Sequence, residues 1–332
     1  MVYIYKKKAG EKSYYYLRAS ERKGNKVIVK DVAYLGSSLE EARKALDKLP
    51  KYSAQIRKAY RTIHNFLESN RYLEKAAGLK LKRDEFLGAR LLEIESCKIH
   101  YSTEFKKQQL LTKQEILRNF IIEFAYNTTA IEGNTIKLAE ARNLLDDGLT
   151  PKNKSLREIY DVQNTEKVFL YIINSNEEIS HDFIISIHRS LMENIDARTG
   201  YRTSNVRVIK ANFKATPFPY VRADMELLLK WYKEHKNKFH PLVLAAIFHH
   251  KFEKIHPFMD GNGRVGRILL NYILLKNNYP PIVIRTKSRN EYLSSLREAD
   301  EGNLTQINKE DYKRIVMFTA EQIIQGYWDI FL

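Results

Sequence analysis

Apolar side chains recur at helical spacing through most of this chain, and this pattern restricts the fold more than any other feature. Between residues 52 and 195 the apolar positions repeat every three or four residues, which places them on one face of a helix. Two such stripes are Ile56, Tyr60, Ile63 and Phe66, and Ile116, Phe120, Ile121 and Phe124. Helical spacing resumes at Val221 and continues to the C-terminus. The sequence therefore predicts a mainly α fold without internal repeats.

The first 36 residues have a different pattern, in which tyrosines and β-branched residues form three short alternating runs. Gly10 and Gly24 lie between these runs and supply the backbone freedom that tight turns need. We therefore expect a small N-terminal β-meander. Its lysines indicate either a nucleic-acid-binding face or, as the favoured interpretation, a sheet edge kept soluble by charge.

A helix should follow this sheet, because Ser38 and Glu41 form a capping-box pattern. Pro50 marks its end, since proline does not continue a helix. The predicted domain division is thus a β-meander plus helix over residues 1–50 and an α-helical core region over residues 51–332.

The composition describes a globular protein with a strong positive charge. The chain has 332 residues, of which 44% are hydrophobic, so it can bury a sizeable core. Lysine and arginine number 56 against 40 aspartate and glutamate, which gives a formal net charge of +16. Such a field attracts polyanions, including nucleic acid and nucleotide phosphates. Charge alone does not choose between these ligands.

Several other classes of protein do not fit the sequence. The longest apolar stretches are shorter than the roughly 18 to 20 residues that a membrane helix needs. The N-terminus lacks the pattern of a secretory signal. Cys97 is the single cysteine, so a disulfide within the chain and a cysteine-bound zinc are excluded. We therefore expect a cytoplasmic protein without a membrane partner.

The densest group of unusual residues runs from His256 to Arg267, between two apolar helical segments. Gly261 and Gly263 place bare backbone amides at the start of the second helix, where unpaired N–H groups and the helix dipole bind anions. Arg264 and Arg267 share a face of its first turn, although the dipole disfavours cations there by roughly 0.3–1 kcal/mol. A phosphate chain offsets these charges, because guanidinium groups bind phosphate oxygens in a bidentate manner.

Two further side chains of this loop supply chemistry. Asp260 offers a hard oxygen ligand of the kind that Mg²⁺, or Mn²⁺, takes when it also binds nucleotide phosphates. His256 has an ordinary pKa near ~6.5 and can accept a proton from an incoming hydroxyl. A histidine before a proline more often has a structural role, but the surrounding residues favour a catalytic base.

Other nucleotide and metal motifs do not fit this loop. Its three glycines spell G-x-G-x-x-G, yet a dinucleotide site needs a preceding strand and an acidic residue about twenty positions later. The chain has no G-x-x-x-x-G-K-[ST] and no kinase H-R-D or D-F-G motif. A zinc site formed by His249, His250 and His256 is disfavoured because H-E-x-x-H is absent.

Residues 256–267 match every position of the H-P-F-x-[DE]-G-N-G-R-x-x-R signature of the Fic family, and the chain resembles that family from about residue 115 to 305. The resemblance implies a Fic-type helical bundle with a β-hairpin flap. It also implies a protein adenylyltransferase, which moves AMP from ATP to a protein hydroxyl and releases pyrophosphate. Glycine at position 263 favours AMP transfer, because the related Doc-type kinases carry lysine there.

Position by position, the resemblance also implies roles for the loop residues. His256 would deprotonate a serine, threonine or tyrosine of the target, whose oxygen attacks the α-phosphate. Asp260 would hold magnesium between the phosphates. The remaining residues implied to bind the nucleotide are Gly261, Asn262, Gly263, Arg264 and Arg267, with both arginines on the β- and γ-phosphates.

A second motif resembles the family's inhibitory [ST]-x-x-x-E-[GN] pattern and lies upstream, on a helix predicted near residues 115–134. Thr128 and Glu132 are four residues apart on one helical face, and Gly133 can end the helix. The resemblance supplies Arg267 as the partner of Glu132. Such pairing would keep ATP in a pose unfit for attack, so the enzyme would rest inhibited. In some relatives the same glutamate helps to remove AMP, which leaves de-AMPylation open as a second activity.

A flap predicted near residues 203–219 would dock the target segment by strand addition. Arg289, Asn290 and Tyr292 resemble the region that borders the family's nucleoside pocket. The sequence does not identify the target protein, the modified residue type or the signal that relieves inhibition. A homodimer and auto-modification are left open. The alternative function is a nucleic-acid-binding regulator that uses the basic residues 1–36.

Overall fold

The computed structural model divides the chain into two compact units, Met1–Leu81 with Leu332, and Lys82–Phe331. The division falls after residue 81, whereas the sequence prediction placed it after residue 50. The described residues are 1–10, 12–207, 215–302, 304–305 and 307–332.

The N-terminal unit begins with an antiparallel three-stranded sheet in the order β1-β2-β3, which confirms the predicted meander. The strands are β1 (Val2–Ala9), β2 (Lys12–Lys23) and β3 (Lys26–Gly36). Ile4 lies opposite Leu17, and Tyr16 lies opposite Tyr34. Because side chains alternate along a strand, Ile4 and Leu17 share the buried face of the sheet and both tyrosines share the other face.

Three helices complete this unit, and they are α1 (Leu39–Asp47), α2 (Ser53–Lys58) and α3 (Tyr60–Ala77). Ser38 caps α1 as predicted, since its side chain accepts a hydrogen bond from the backbone N–H of Glu41 at 3.1 Å. Ile63 and Leu67 of α3 belong to the same hydrophobic cluster as Val2 and Leu17 of the sheet. The unit therefore extends past α1, which explains the later boundary.

The described residues of the second unit form helices and connecting loops and include no strand, which agrees with the mainly α fold that the apolar spacing predicted. Its helices are α4 (Arg90–Thr103), α5 (Leu110–Ile131), α6 (Leu138–Asp147), α7 (Leu156–Asn174), α8 (His181–Leu191), α9 (Val221–His235), α10 (Pro241–Ile255), α11 (Asn262–Lys276), α12 (Arg289–Ala299) and α13 (Lys309–Ile330). None of the described helices is both long enough and apolar enough to cross a bilayer.

Helices α10 and α11 form the centre of this unit. They pack against each other, α11 also contacts α5, α7 and α8, and α10 also contacts α9 and α13. Both helices are buried around nearly their whole circumference, as expected of helices that are surrounded by others. The short turn between them, at residues 256–261, is therefore held at a fixed place by two rigid elements.

The predicted flap falls largely outside the described residues, because these exclude positions 208–214. Residues 203–207 and 215–217 on either side are not in strands. A single 3₁₀ turn, Phe218–Tyr220, leads into α9.

Candidate active site

The predicted loop and the predicted inhibitory glutamate line one cleft with a volume of about 680 Å³. This size falls in the range of pockets that bind small molecules. The predicted site residues that line it are Glu132, His256, Asp260, Gly261, Asn262, Gly263, Arg267, Arg289, Asn290 and Tyr292. Thr128, Gly133 and Arg264 do not line this cleft.

The N-terminus of α11 opens into the cleft without a side-chain cap. Gly261 precedes the helix in a left-handed conformation, with φ of +78°, and offers no capping side chain. Both ends of the Asn262 amide are occupied instead, because it accepts from the backbone N–H of Phe258 and donates to its carbonyl, each at 2.9 Å. The Asn262 side chain thus closes the loop, and what this residue offers to an anion is its backbone N–H.

His256 ends α10 in a left-handed conformation, with φ of +54°, and its side chain is 20% exposed. Nδ1 lies 3.2 Å from the carbonyl oxygen of Glu253. A carbonyl only accepts hydrogen bonds, so Nδ1 carries the proton and Nε2 keeps its lone pair. Burial lowers the pKa of His256 below its ordinary value, which favours the neutral form. The imidazole is therefore a base at neutral pH.

Arg202 fixes the turn that carries His256, a role that the sequence did not reveal. Its Nε donates to the His256 carbonyl at 2.8 Å, and its backbone N–H donates to the Pro257 carbonyl at 2.9 Å. Its guanidinium also donates to the carbonyl of Thr216. The buried Arg202 side chain therefore connects the described residues on both sides of the flap to the turn that carries His256. The only sequence signal is an arginine close after Gly200, which alone does not distinguish a buried arginine from a surface one.

His188 of α8 supports the other side of the loop. Its ring stacks on Phe258 with centroids 3.7 Å apart, and Nε2 donates to the carbonyl of Asp260 at 3.1 Å. Burial lowers the pKa of His188 to about 4. This histidine is therefore neutral at physiological pH and has a structural role.

The Asp260 carboxylate is not free, because it pairs with Arg157 in the first turn of α7. Burial alone would raise the pKa of Asp260, but the hydrogen bond from Arg157 and the charge of Arg264 outweigh it, and the pKa lies below its usual value. Asp260 is therefore ionised and already attracts a cation. Sequence reasoning missed Arg157, since the two residues are 103 positions apart.

Arg264 is placed differently from Arg267. Its guanidinium is 3% exposed, pairs with Asp161 of α7 and lies 3.5 Å from the sulfur of Met192. Burial raises the pKa of Asp161, and the nearby arginines oppose that shift. The side chain implied to contact the β-phosphate thus packs behind the loop and neutralises a buried carboxylate.

Arg267 joins α11 to the end of α5. Its Nε donates to the hydroxyl of Thr128 at 2.6 Å, and its Nη2 donates to the Thr128 carbonyl at 2.9 Å and to Glu132 Oε1 at 2.7 Å. Gly133 follows with φ of +108°, a conformation that favours glycine and lets the chain turn away directly after Glu132. Burial would raise the pKa of Glu132, but Arg267 more than offsets this effect, so the carboxylate is ionised.

Glu132 reaches the anion-binding end of α11 itself. A Cβ atom built on Gly263 would overlap Glu132 Oε1 and would lie 2.9 Å from Arg267 Nη1. A side chain at 263 would therefore displace the Glu132 carboxylate from this position. The carboxylate of Glu132 therefore covers the N-terminus of α11. Its side chain is 42% exposed and faces the cleft.

The far side of the cleft is built by α12. Arg289 donates from Nε to the Ile131 carbonyl at 2.9 Å, which ties α12 to the end of α5. Tyr292 is 1% exposed, and its hydroxyl hydrogen-bonds His249 Nε2 at 2.7 Å. Leu293, Leu296 and Arg297 also line the cleft. Leu293 lies four residues after Arg289, Leu296 four after Tyr292 and Arg297 four after Leu293, and this helical spacing is the signal that could have revealed them.

Comparison with known proteins identifies the family of this region. The model of the Fic/DOC family matches residues 178–274, from before α8 to near the end of α11. The protein adenylyltransferase fic-1 of Caenorhabditis elegans is 31% identical over 220 residues, which are 64% of this chain and 42% of that protein. This chain thus spans about two fifths of the length of the curated relatives that it resembles.

Solved structures agree with this match. A Fic domain containing signaling protein from Bacteroides thetaiotaomicron superposes with a TM-score of 0.65 at 25% identity and covers 70% of this chain and 94% of its own. A segment of Fic-1 from C. elegans gives a TM-score of 0.59 at 26% identity and covers 88% and 92%. Residues 178–274 of this chain are therefore similar to the Fic/DOC family, and the solved structures that resemble the chain include Fic-domain proteins.

Proposed function

We propose that this protein is an adenylyltransferase, which transfers AMP from ATP to a hydroxyl group of a protein and is held inactive by Glu132. The curated relatives that it resembles are named protein adenylyltransferases. The observation that carries the proposal is the arrangement in one cleft of a neutral histidine, an uncapped helix N-terminus and a carboxylate that covers this terminus. No comparison supports the alternative of a nucleic-acid-binding regulator as the function of the chain.

In the proposed reaction, the hydroxyl oxygen of the target attacks the α-phosphorus of ATP, and Nε2 of His256 takes the hydroxyl proton. A bond forms between this oxygen and the α-phosphorus, the bond from the α-phosphorus to the bridging oxygen breaks, and pyrophosphate leaves. The amides of Asn262 and Gly263 would stabilise phosphate charge at the start of α11, where dipole and N–H groups favour anions. Arg267 would bind the outer phosphate once Glu132 has left it.

The proposed inhibition follows from competition for one site. Glu132 is an anion that occupies both the guanidinium of Arg267 and the space over Gly263. A triphosphate carries its own anionic oxygens to the same groups. Glu132 must therefore move away before the nucleotide can bind in a reactive pose.

A divalent cation fits this site at Asp260. The carboxylate is ionised and 36% exposed, and it pairs with Arg157, which a metal cation would have to displace. The part of the chain that the structure describes holds no cluster of three or more potential metal-ligating side chains. One carboxylate is enough when phosphate oxygens and water complete the shell, which is a common arrangement for Mg²⁺. When bound there, the cation would neutralise charge on the phosphates.

Intact mass of the Glu132→Gly protein after incubation with ATP and magnesium tests the proposal. We expect a gain of one AMP group on the protein itself or on lysate proteins, and no gain for the unaltered chain. The matched control is the Glu132→Gly protein that also carries His256→Ala, which should gain nothing. A gain of phosphate would show γ-phosphate transfer, and no gain with any lysate would contradict the proposed activity.

Removal of AMP is a second candidate for the same site. The Glu132 carboxylate is ionised and half-exposed in the cleft, so it can position a water molecule as well as exclude a phosphate. A target modified in advance should lose AMP to the unaltered protein and should keep it with the Glu132→Ala protein. Equal release by both proteins would remove this role from Glu132.

The target is proposed to dock beside the His256 turn through the flap, whose central residues lie outside the described part of the chain. Auto-modification would appear directly in the mass experiment. A homodimer and a cytoplasmic location stay predictions from the sequence.

A further inference from the structure

The hairpin of β2 and β3 projects beyond the rest of the N-terminal sheet. Strand β1 pairs with β2 only as far as Ala19, which lies opposite Val2. Ser20 still exchanges backbone hydrogen bonds with Met1, and beyond it residues 21–23 pair only with residues 26–28. We call residues 20–30 the ribbon. All of its residues from 21 to 30 are exposed, so both faces of the ribbon are open to solvent.

The ribbon combines two features that are unfavourable in an unpartnered hairpin. Val27, Ile28 and Val29 are 65%, 38% and 45% exposed, although β-branched residues on an open strand promote association. Lys23 lies directly opposite Lys26, and like charges in that position destabilise a strand pair. An isolated two-stranded hairpin is marginal in water. A partner that covers the apolar side chains and lies between the lysines would remove both costs.

The charge of the ribbon identifies the chemistry of that partner. Its basic residues are Arg22, Lys23, Lys26 and Lys30, and its acidic residue is Glu21. Within the described part of the chain, the observed ion pairs involve none of these four basic residues. The ribbon is narrow and presents apolar side chains beside cations that form no ion pair with the described residues. Such a surface is complementary in shape and charge to a polyanion that has a groove.

Among polyanions, the shape of the ribbon favours duplex DNA. The major groove of B-DNA is about 12 Å wide and admits a two-stranded β-ribbon, whereas the major groove of an RNA duplex is too narrow. Single strands are bound mainly by stacking on open aromatic rings. On the tyrosine face of this sheet, Arg18 covers the Tyr5 ring at 3.3 Å, and Tyr16 packs against Tyr34 with centroids 5.3 Å apart. Tyr34 is still 56% exposed, but all of these rings lie outside the ribbon, whose residues 20–30 include no aromatic side chain.

We propose that the ribbon is a docking surface for duplex DNA, with its strands in the major groove and its four basic side chains on the flanking phosphates. The ribbon shares no residue with the cleft, and its test needs neither ATP nor catalysis. Neutralising four phosphates gives a slope of log affinity against log salt of about −3.6. Affinity should therefore fall roughly 100-fold between 50 and 200 mM salt.

Fluorescence anisotropy of the full chain with a labelled 30-base-pair DNA duplex tests the proposal. The Lys23→Gln/Lys26→Gln protein should bind at least tenfold more weakly at 100 mM salt, with a slope that is shallower by about 1.8. The matched control is Lys44→Gln/Lys48→Gln, which removes two exposed lysines at the end of α1 in the same unit. It should change affinity less than twofold.

Four outcomes would overturn the proposal. They are no binding of the duplex at 50 mM salt, equal loss of affinity in the two double variants, tighter binding of single-stranded DNA or of duplex RNA, and dimerisation that only the ribbon variant loses. The last outcome, measured by sedimentation, would assign the ribbon to a second copy of the chain. Sedimentation of both variants also verifies that each is folded.

Discussion

Replacing Glu132 by glutamine tests the inhibitory contact with the smallest change in shape. The substitution keeps an oxygen that can accept from Arg267 and removes only the negative charge. Since Arg267 also donates to the Thr128 hydroxyl and carbonyl, no buried N–H is left without a partner. We therefore expect the fold to be retained and the competition with phosphate to weaken.

The size of the effect follows from the geometry of the pair. The bond between Glu132 Oε1 and Arg267 Nη2 is 2.7 Å long, with Arg267 3% exposed and Glu132 42% exposed. Hydrogen bonds to charged groups contribute about 1.5–3 kcal/mol, and solvent screening of the half-exposed carboxylate reduces this to roughly 1–2 kcal/mol. If this energy keeps Glu132 over the phosphate site, its loss raises the fraction of molecules that can bind the nucleotide in a reactive pose. Nucleotide affinity then rises by the same factor, roughly 5- to 30-fold.

Calorimetric titration with a non-hydrolysable ATP analogue and magnesium measures this change. Glu123→Gln is the matched control, because Glu123 lies on the same helix, pairs with Arg285 at 3.6 Å and does not line the cleft. It should leave the affinity unchanged. Equal affinity of the Glu132→Gln and unaltered proteins would refute the reasoning that Glu132 and the triphosphate compete.

Three further predictions concern the same cleft. In the Glu132→Gly background, His256→Ala should abolish AMP transfer and leave nucleotide affinity within about threefold in calorimetry, whereas a collapse of affinity would make His256 structural. Because burial lowers the pKa of His256 and the neutral form is the base, the transfer rate should stay constant from pH 8 down to about 6.5 and fall only at lower pH, and a fall beginning above pH 7 would contradict this base. Thr128→Val, which leaves the Arg267 Nε–H buried without its 2.6 Å acceptor, should cost about 1–3 kcal/mol in chemical denaturation, with Thr128→Ser as the neutral control.

The sequence predicted the helices that carry the site because their burial is nearly complete. Such helices show long apolar runs, and the loop between α10 and α11 stands out against them through its glycines and charges. The predicted boundary after residue 50 differs from the division after residue 81 for a different reason. The stripe that contains Ile63 is amphipathic. Amphipathic spacing indicates that a helix buries one face, but it does not indicate which element of the protein covers that face. Here the β-sheet of the N-terminal unit covers it.

Residue types in the loop were easier to predict than the direction of their side chains. Arg264 and Arg267 lie three positions apart, so sequence reasoning treated them as equivalent phosphate ligands. In the folded chain Arg267 lines the cleft, and Arg264 is buried against Asp161. The difference arises from partners more than 100 positions away in sequence, and periodicity contains no information about such pairs.

The charged side chains of the loop are all paired within the protein, and their exposure indicates which pairs can exchange for a ligand. Arg264 and Asp161 are 3% and 13% exposed, so separating them would leave buried charges without partners at a cost of several kcal/mol. Arg157 and Asp260 are 56% and 36% exposed, and water can take over their solvation. Glu132 is similarly accessible, although its partner is buried. An anion and a cation that bind at this cleft, as proposed, would therefore displace Glu132 and Arg157, while the pair behind the loop would keep the helix N-terminus in place.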